Sequence, residues 1–222
     1  MSMVVMKGRA PVESRTRIIR EWFEVAECAC RAPAPPGAVR LPAARAGRIV
    51  LITGPSGSGK STLLRRYRER VPRRRLIDLT RMRLAERAVI DLFPRLSVEA
   101  ALGALSRVGL AEAHTYLLPP SKLSDGQRWR LRLALAVARC EASPPRARFV
   151  IVVDEFAALL DRVTAWIVAR ALRKAVDRLE NVCAIVATSH EDVERPLGAD
   201  VVVRCDFGEM RVEPRMDADE RR

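Results

Sequence analysis

Three stretches of the 222-residue chain are almost continuously apolar. RIVLIT (48–53), RFVIVVDEF (148–156) and VCAIVATSH (182–190) are rich in β-branched residues and lack polar alternation. Such runs are typical of parallel strands that are buried on both faces. RRLIDL (74–79) predicts a further strand, and ADVVVRCDFGEMRVEP (199–214) predicts two short final strands.

Apolar residues recur at helical spacing between these strands. The segments that show this pattern are 15–29, 59–71, 97–110, 126–142 and 162–181. Ser97 is the expected N-cap of the helix that follows it. Residues 81–93 are ambiguous, with a helical first part, and residues 114–127 are expected to form a loop. Strands that alternate with helices predict an α/β fold, with a mostly parallel sheet flanked by helices.

The segment before the first apolar run has a different composition. Residues 31–47 are rich in Pro, Ala and Gly, which favours an extended connector or irregular edge strands. We expect residues 1–46 to be a lead-in, residues 47–215 one domain and residues 216–222 a charged tail. No apolar run approaches the roughly 18 residues of a membrane span. With no secretory signal recognisable either, a cytoplasmic protein is expected.

The loop GPSGSGKS (54–61) fits the phosphate-loop pattern G-x-x-x-x-G-K-[ST] and lies between a predicted strand and a predicted helix. Its glycines let backbone N–H groups turn inward and form an anion-binding nest. Lys60 is expected to reach the β- and γ-phosphates and to act in catalysis, and Ser61 to ligate Mg²⁺. The predicted nucleotide-binding residues are Gly54, Pro55, Ser56, Gly57, Ser58, Gly59, Lys60, Ser61 and Thr62.

Two carboxylates follow the most hydrophobic predicted strand. Asp154 is placed to hold Mg²⁺ through water, and Glu155 to polarise the attacking water. The pair alone could be two solvated side chains at a strand end. Together with the phosphate loop, the pair predicts the metal and catalytic part of a nucleotide-hydrolysing site.

Positive charge exceeds negative charge, with 40 basic and 27 acidic residues and a net charge of +13. The surplus concentrates at residues 65–75 and 128–132. Clustered arginines favour anionic partners such as DNA or RNA. A solvated arginine-rich face explains the same pattern, and both interpretations stay open.

The cysteines indicate neither a disulfide framework nor a metal centre. Five are scattered along the chain, and the odd count favours buried or incidental free thiols. A metal site would need further ligands, which two histidines can hardly supply. The cysteines are Cys28, Cys30, Cys140, Cys183 and Cys205.

At LSDGQRWRLRLALAVAR (123–139) the chain resembles the ABC-type ATPases, whose signature motif is usually LSGGQ followed by a basic, apolar helix. The resemblance covers about residues 47–210 and implies a P-loop NTPase fold with a helical subdomain at about 94–140. Further matches follow in the family's order: LFPRLSVEAAL (92–102) before the helical subdomain, VVDE (152–155), ALLD (158–161) as the D-loop, ATSH (187–190) as the switch-histidine strand end, and the closing strands (199–209).

The resemblance implies that two cassettes close head to tail on two ATP molecules. Ser124 and Gly126 would face the γ-phosphate of the partner's ATP, with Gln127 beside it. Asp161 would cross the dimer axis and couple the two sites. His190 would contact the γ-phosphate and position the attacking water. ATP and Mg²⁺ are the implied cofactors, and an ATP-dependent homodimer is the implied assembly.

The chain departs from the family's pattern in three places. Asp125 stands where the family usually has glycine, which puts negative charge near a phosphate or turns the carboxylate toward solvent. No glutamine precedes LFPRLSV, and Asp91 is the nearest polar replacement. The short separation of Lys60 and Ser124 predicts a reduced helical subdomain and a reduced antiparallel β subdomain.

The resemblance leaves the adenine contact without a clear counterpart. Trp22 or Phe23 could serve, although a core-facing helix stripe explains both residues better. His114 lies in no motif and is expected to be a surface or loop residue.

These departures favour a non-transporter ABC ATPase that works as a dimerising switch, with nucleic acid as the first partner class to test. The alternative is the ATP-binding subunit of an ABC transporter, which would need a membrane partner at residues 81–120. A regulatory module that holds ATP without hydrolysing it is disfavoured by Glu155 and His190.

Overall fold

The computed structural model describes residue 17 and residues 42–144, 146–158, 160–207 and 209–214. The chain divides into two compact units, residues 1–34 and 35–222, and all described residues except residue 17 lie in the second. The boundary that the sequence predicts at residue 46 stays a prediction. Several sequence predictions fall outside the described residues: the helix at 15–29 apart from Arg17, Trp22, Phe23, Cys28, Cys30 and the tail at 216–222.

One six-stranded sheet organises the described residues, in the order β2-β3-β4-β1-β5-β6. The first five strands are parallel, and β6 pairs antiparallel with β5. The mostly parallel α/β sheet predicted from the apolar runs is therefore confirmed. The strands are β1 (Ile49–Thr53), β2 (Leu76–Asp78), β3 (Phe149–Val153), β4 (Val182–Thr188), β5 (Val201–Asp206) and β6 (Glu209–Pro214).

Helices occupy the segments with helical periodicity from residue 59 onward. Ser97 caps α2 as predicted, because its hydroxyl accepts a hydrogen bond from the Ala100 N–H at 3.3 Å. The helices are α1 (Lys60–Arg70), α2 (Val98–Arg107), α3 (Ala113–Tyr116), α4 (Asp125–Glu141), α5 (Arg162–Arg178) and α6 (Glu194–Leu197), with 3-10 turns at Arg73–Arg75, Val89–Leu92, Pro120–Lys122 and Glu191–Val193.

Two local predictions between β2 and β3 are wrong. The first part of residues 81–93 forms no helix, and only the 3-10 turn at Val89–Leu92 follows. Ala85, Glu86 and Arg87 are exposed, and a short helix without a packed face is marginal in water. The segment 114–127, predicted as a loop, contains most of α3 and a 3-10 turn.

The sheet is covered by helices on both faces. In β1, Ile49 and Leu51 belong to the apolar cluster that includes residues of α2, α4 and α5, whereas Val50 and Ile52 pack with Leu63, Leu64 and Tyr67 of α1. Burial on both faces is the physical reason for the uninterrupted apolar runs. It also sets the place of the site, since the carboxyl ends of parallel strands meet at one edge of the sheet.

The described cysteines are buried free thiols, as the sequence predicts for them. They are Cys140, Cys183 and Cys205. Burial raises the pKa of Cys140 to about 12 and that of Cys183 to about 11. Thiols with such a high pKa stay protonated at neutral pH and are inert. None of the described helices is long and apolar enough to cross a membrane.

Candidate active site

The phosphate loop joins β1 to α1 in a shape that only glycine permits at its first position. Gly54 has φ +143°, and a Cβ added there would lie 2.0 Å from the Cys205 carbonyl oxygen of β5. Gly59 precedes α1 with φ +95°, and no side chain caps this end of the helix. The N–H groups of the first turn of α1 therefore face the loop, where an anion can accept their hydrogen bonds.

Lys60 closes the loop from its helix end. Its ammonium donates hydrogen bonds to the carbonyl oxygens of Gly54 and Pro55, at 2.8 Å and 2.7 Å. Partial burial lowers the pKa of Lys60, and the nearby Cys205, Asp154 and Glu155 oppose this shift. The positive charge thus lies over the concave side of the loop and close to the two carboxylates at the end of β3.

Ser61 and Asp154 form the predicted metal pair. The Ser61 hydroxyl, in the first turn of α1, donates to Asp154 Oδ1 at 3.1 Å. A hydroxyl and a carboxylate are the hard oxygen donors that Mg²⁺ prefers, and Mg²⁺ usually takes only one or two carboxylates besides phosphates and water. No cluster of three or more His, Cys, Asp or Glu residues exists within the described part of the chain. The donor set therefore fits Mg²⁺ held mainly by a nucleotide.

Arg68 is a site residue that the sequence analysis missed. Its Nε lies 2.9 Å from Asp78 Oδ2, and its Nη1 lies 3.6 Å from Asp154 Oδ2. The side chain is only 10% exposed, although the sequence places it in a cluster of basic residues expected at the surface. Its spacing was the available signal, since it follows the buried Leu64 by four residues on the same helix face. The ion pair leaves Asp154 Oδ1 facing Ser61.

Thr80 holds the backbone of Asp154 from the neighbouring strand. Its hydroxyl accepts from the Asp154 N–H at 2.8 Å and donates to the Asp154 carbonyl at 3.1 Å. Thr80 comes shortly after β2, whereas Asp91 is exposed in a 3-10 turn. The sequence predicts Asp91 as the polar residue that replaces the family's glutamine, and this assignment stays a prediction. The structure adds Thr80 as a polar residue that hydrogen-bonds the backbone of Asp154.

Glu155 lies in a tight turn with an unusual backbone. Glu155 has φ +49° and Ala157 has φ +67°, and such conformations cost about 1–3 kcal/mol each for residues other than glycine. Phe156 between them is fully buried and fixes the turn to β4. Its N–H donates to the Ala187 carbonyl at 2.9 Å, and its carbonyl accepts from the Thr188 hydroxyl at 2.8 Å. The exposed Glu155 carboxylate is therefore held on a rigid turn.

His190 is tied to the same turn through Thr188. The His190 N–H donates to the Thr188 hydroxyl at 3.0 Å, and that hydroxyl also donates to the Phe156 carbonyl. Thr188 itself is completely buried, whereas the His190 side chain is exposed. One buried hydroxyl thus connects His190 to Phe156, the residue that follows Glu155.

The signature motif begins α4 with a capping box. The Ser124 hydroxyl accepts from the Gln127 N–H at 3.2 Å, and the Gln127 side chain accepts from the Ser124 N–H at 2.9 Å. Gln127 also donates to Glu112 at 2.9 Å. The carboxylate of Asp125 pairs with Arg128 on the next turn and is half exposed. Its charge is therefore partly neutralised within its own helix.

The D-loop residue Asp161 is the N-cap of α5. Its carboxylate accepts from the N–H groups of Val163 and Thr164, both at 3.0 Å. Hydrogen bonds from Thr164 lower the pKa of Asp161, with a larger effect from its side chain than from its backbone. The start of α4 packs here, because a Cβ added to Gly126 would lie 2.8 Å from Thr164 Cγ2. The signature motif and the D-loop therefore touch within one chain.

The predicted site residues fall into two regions. The phosphate-loop region consists of residues 54–62 with Asp154, Glu155 and His190, and the signature region of residues 123–128 with Asp161. Among the described residues, no hydrogen bond or ion pair joins the two regions. Residues directly next to the two regions pack together, since Trp129, which follows residue 128, contacts Phe156, which follows Glu155, edge-on with ring centroids 5.1 Å apart.

An aromatic residue that the sequence analysis overlooked lies beside the phosphate loop. Phe207 occupies the turn between β5 and β6 and is 68% exposed. Its Cε1 lies 3.9 Å from the position that a Cβ would take at Gly57. The sequence contained a signal, since Phe207 directly precedes Gly208 between two predicted strands. An apolar ring in such a turn gains little stability from burial.

Sequence comparisons relate this chain to ATPase domains and ATP-binding proteins. A family model described as "AAA ATPase domain" matches residues 38–186, which include the phosphate loop and Asp154 and end before His190. The chain is 30% identical over 191 residues to the aliphatic sulfonates import ATP-binding protein SsuB 1 of Streptomyces avermitilis, covering 79% of this chain and 69% of that protein. It is 29% identical over 201 residues to the phosphonates import ATP-binding protein PhnC of Hyphomonas neptunium, covering 72% of this chain and 73% of that protein.

Solved structures of ABC cassettes share the fold. The dimeric structure of MJ0796, a bacterial ABC transporter cassette, superposes with a TM-score of 0.59 at 22% identity, over 79% of this chain and 88% of that one. A post-hydrolysis state of the same cassette, bound to ADP and Pi, gives a TM-score of 0.60 over 79% and 89% of the two chains. At this identity the likeness shows the fold alone.

Proposed function

This chain belongs to the ABC-type ATPases, and from that membership we propose that it works as a dimerising switch, which ATP closes and hydrolysis opens. The observation that carries the proposal is the separation of the phosphate-loop region from the signature region within one chain. Each region offers part of a nucleotide site. A second copy placed head to tail would supply the other part at each of two sites.

The phosphate-loop region carries the chemistry of the proposed reaction. Backbone N–H groups of the loop and Lys60 would hold the phosphates, while Ser61 and Asp154 would hold Mg²⁺, which neutralises charge on the β- and γ-phosphates. Glu155 would accept the proton of the attacking water, and His190 would orient that water. The rigid turn around Phe156 supports this role, because a base held in position needs little reorganisation.

The signature region would complete the site of the partner. Ser124 and Gln127 lie at the N-terminal end of α4, a helix of 17 residues, where the helix dipole favours negative charge. Asp161, at the start of α5, would lie at the dimer axis. The first turns of α5 support a partner-facing role, because Val163, Trp166 and Ile167 are between 42% and 69% exposed. Exposed apolar side chains of this size mark contact surfaces when they cluster.

Phe207 is the residue that we propose for the adenine contact. Its exposed ring lies beside Gly57, at the outer side of the phosphate loop. An aromatic side chain gains about 0.5–1.5 kcal/mol from stacking beyond its buried area. This assignment would replace Trp22 and Phe23, which lie outside the described residues.

The proposed switch is not part of a transporter. Two observations support this part of the proposal. No glutamine precedes LFPRLSV (92–98), whereas the resemblance implies one there that couples the cassette to a membrane domain. The exposed arginines after the phosphate loop, Arg65, Arg70 and Arg73–Arg75, make no ion pair within the described chain and would suit the phosphates of DNA or RNA.

The ATP-binding subunit of a transporter is the second candidate function. The names of the curated relatives favour it, since both are import ATP-binding proteins. In that case a membrane protein would grip residues 81–120. A permease gene next to the gene of this chain would favour the transporter.

A Glu155→Gln variant tests the switch. We expect hydrolysis to fall by about 10²- to 10⁴-fold, because general-base catalysis contributes that much, while ATP binding persists. Light scattering after size exclusion should then show a dimer with ATP and a monomer with ADP. Glu180→Gln, an exposed carboxylate outside the motifs, is the matched control. A Glu155→Gln protein that binds ATP and remains monomeric would show that the dimer proposal is wrong.

Polynucleotide tests the partner class separately. We expect single- or double-stranded DNA or RNA to change the ATPase rate or to shift in mobility at low salt, with a loss of binding as salt rises. Neutralising Arg73, Arg74 and Arg75 together with glutamine should weaken binding, whereas Arg195→Gln should not. Unchanged rates and mobilities with all four polynucleotides would exclude nucleic acid as the partner.

A further inference from the structure

A cavity of about 540 Å³ lies between the segment after β2 and the first turns of α4. Its lining includes Thr80 from the segment after β2, and Arg128 and Arg132 from α4. No residue of the phosphate loop lines it, and neither Glu155 nor His190 does. The cavity is therefore distinct from the nucleotide site, although Thr80 connects it to Asp154.

The lining carries strong positive charge. Arg81, Arg83, Arg128 and Arg132 face a single carboxylate in the lining, that of Glu86. Two of these arginines have a carboxylate partner of their own: Arg128 pairs with Asp125, and the exposed Arg81 lies 3.7 Å from Asp78. Arg83 and Arg132 make no ion pair or hydrogen bond within the described part of the chain. Two guanidinium groups of the cavity thus lack an acceptor.

Arg132 is the group that most needs an anion. Its side chain is partly buried, and its Nε has no hydrogen-bond partner in the described protein. Arg128 and Arg132 are four residues apart on α4, so two like charges share one face of the helix. Burial, followed by the charge of Arg128, lowers the pKa of Arg132. A protein seldom leaves a partly buried cation without an acceptor, because the unmet hydrogen bonds and charge are costly.

We propose that this arginine pocket, formed by Arg81, Arg83, Arg128 and Arg132, is a second anion site that binds the phosphate groups of a ligand other than the hydrolysed ATP. Guanidinium groups match phosphate oxygens through paired N–H donors, which a carboxylate-poor cavity leaves available. Its volume lies in the range of about 300–1,000 Å³ that small-molecule sites occupy. The pocket therefore accommodates several phosphates from a free polyphosphate or from a polynucleotide.

The position of the pocket gives its occupant a route to the ATPase site. Arg128 is shared between the pocket and Asp125 of the signature region. An anion that draws Arg128 into the pocket frees the charge of Asp125 beside the partner's nucleotide. On the basis of the proposed switch, occupancy and ATP-dependent closure would be coupled, and by linkage each would alter the affinity of the other by the same factor.

Titration of Mg²⁺-ADP-saturated protein with tripolyphosphate tests the pocket, because ADP keeps the phosphate loop filled. We expect calorimetry to show one further binding event that weakens about tenfold or more in Arg83→Gln and in Arg132→Gln. Arg95→Gln removes the same charge from an exposed turn outside the pocket and should bind like the wild type. Arg83 is exposed, so its variant keeps the test valid even if Arg132→Gln lowers stability.

The source of the phosphate is decided by competition. An oligonucleotide that displaces tripolyphosphate from the wild type, with the same dependence on Arg83, identifies a polynucleotide, and failure to displace it identifies a free polyphosphate. The proposal is overturned if ADP-saturated protein shows no further binding, or if Arg95→Gln weakens binding as much as Arg83→Gln. The test needs neither hydrolysis nor dimerisation, so its outcome is independent of the proposed switch.

Discussion

The phosphate-loop region and the signature region differ in how the N-terminal ends of their helices are capped. Before α1, no side chain caps the helix, and the backbone N–H groups are left for an anion. Before α4, Ser124 and Gln127 cap the helix reciprocally, and before α5 the Asp161 carboxylate is the N-cap. The first region is built for a ligand by its backbone. The signature region uses the side chains of its cap residues to stabilise its own helices. The resemblance assigns the same side chains to the partner's nucleotide site.

Because of this difference, substitutions in the two regions should have different effects on function and stability. In the phosphate-loop region, function should fall while stability is kept. In the signature region, stability and closure should fall together, because the same side chains serve both.

Lys60→Ala should produce the largest functional loss. We expect the ATPase rate to fall by at least about 10²-fold, since a positioned charge on the transferred phosphate contributes that much or more. The free energy of unfolding should change little, because the lost hydrogen bonds only join Lys60 to its own loop. Rate assays and urea unfolding measure both, with the exposed Lys174→Ala as control. A marked loss of unfolding free energy in Lys60→Ala would contradict the expected difference between the two regions.

Gly126→Ala should destabilise the protein through steric conflict. Its Cβ would meet Thr164 Cγ2 at 2.8 Å, and the backbone of Thr164 is fixed because its N–H donates to the Asp161 carboxylate at 3.0 Å. Overpacking of this kind costs about 1–3 kcal/mol. Adding Thr164→Ser removes the clashing methyl group and should restore most of the unfolding free energy. Equal stability of the single and double variants would show that the contact is not tight.

Ser124→Ala should lower stability by about 1 kcal/mol, the usual effect of losing an N-cap. Ser124→Asp separates the two roles of this residue, because aspartate also caps helices but adds negative charge next to the partner's phosphate. In the Glu155→Gln background we expect Ser124→Asp to keep its melting temperature and to lose the ATP-dependent dimer. A stable ATP dimer of Ser124→Asp would remove Ser124 from the proposed interface.

Phe207→Ala should raise the KM for ATP by about two- to tenfold, which corresponds to the loss of one aromatic stacking contact. Phe207→Tyr should behave like the wild type, because its ring keeps the same stacking face. Val212→Ala, a partly exposed position on β6, is the matched control. An unchanged KM in Phe207→Ala would mean that another residue meets the adenine.

The N-cap of α5 should give the smallest effect, visible only in acid. Hydrogen bonds from Thr164 lower the pKa of Asp161 below 3.8 in the folded state. The ionised carboxylate therefore stabilises the fold above the unfolded pKa, and this contribution is lost as pH falls through the folded pKa. The difference in unfolding free energy between wild type and Asp161→Asn should shrink as pH falls below about 4. A difference that grows in acid would contradict the capping role.

The sequence predicted most of the elements because their signals are local. The apolar runs of β1, β3 and β4 reflect burial on both faces, and Ser97 announced the start of α2. The helical pattern at residues 81–88 failed for the complementary reason, since local propensity there finds no packed surface.

The candidate site divides along the same line. The phosphate loop, the Asp154–Glu155 pair and the signature motif could each be identified in the sequence, and their order predicted the ABC-type family. Arg68 and Thr80 belong to the site only because α1 and β2 bring them to Asp154. Neither residue lies in a motif of its own. The spacing of Arg68 from Leu64 indicated a buried helix face, but nothing in the sequence indicated contact of either residue with Asp154.

By itself, the sequence determined the nucleotide chemistry and the α/β fold. A phosphate loop and an acidic strand end are short motifs, whose function follows from backbone geometry over a few residues. The tertiary structure decided which side chains are already occupied. It turned Arg68 inward, committed Ser124 and Asp161 to helix caps, and gathered four arginines around one cavity. Such contacts depend on distances between elements that are far apart in sequence, and no local pattern records those distances.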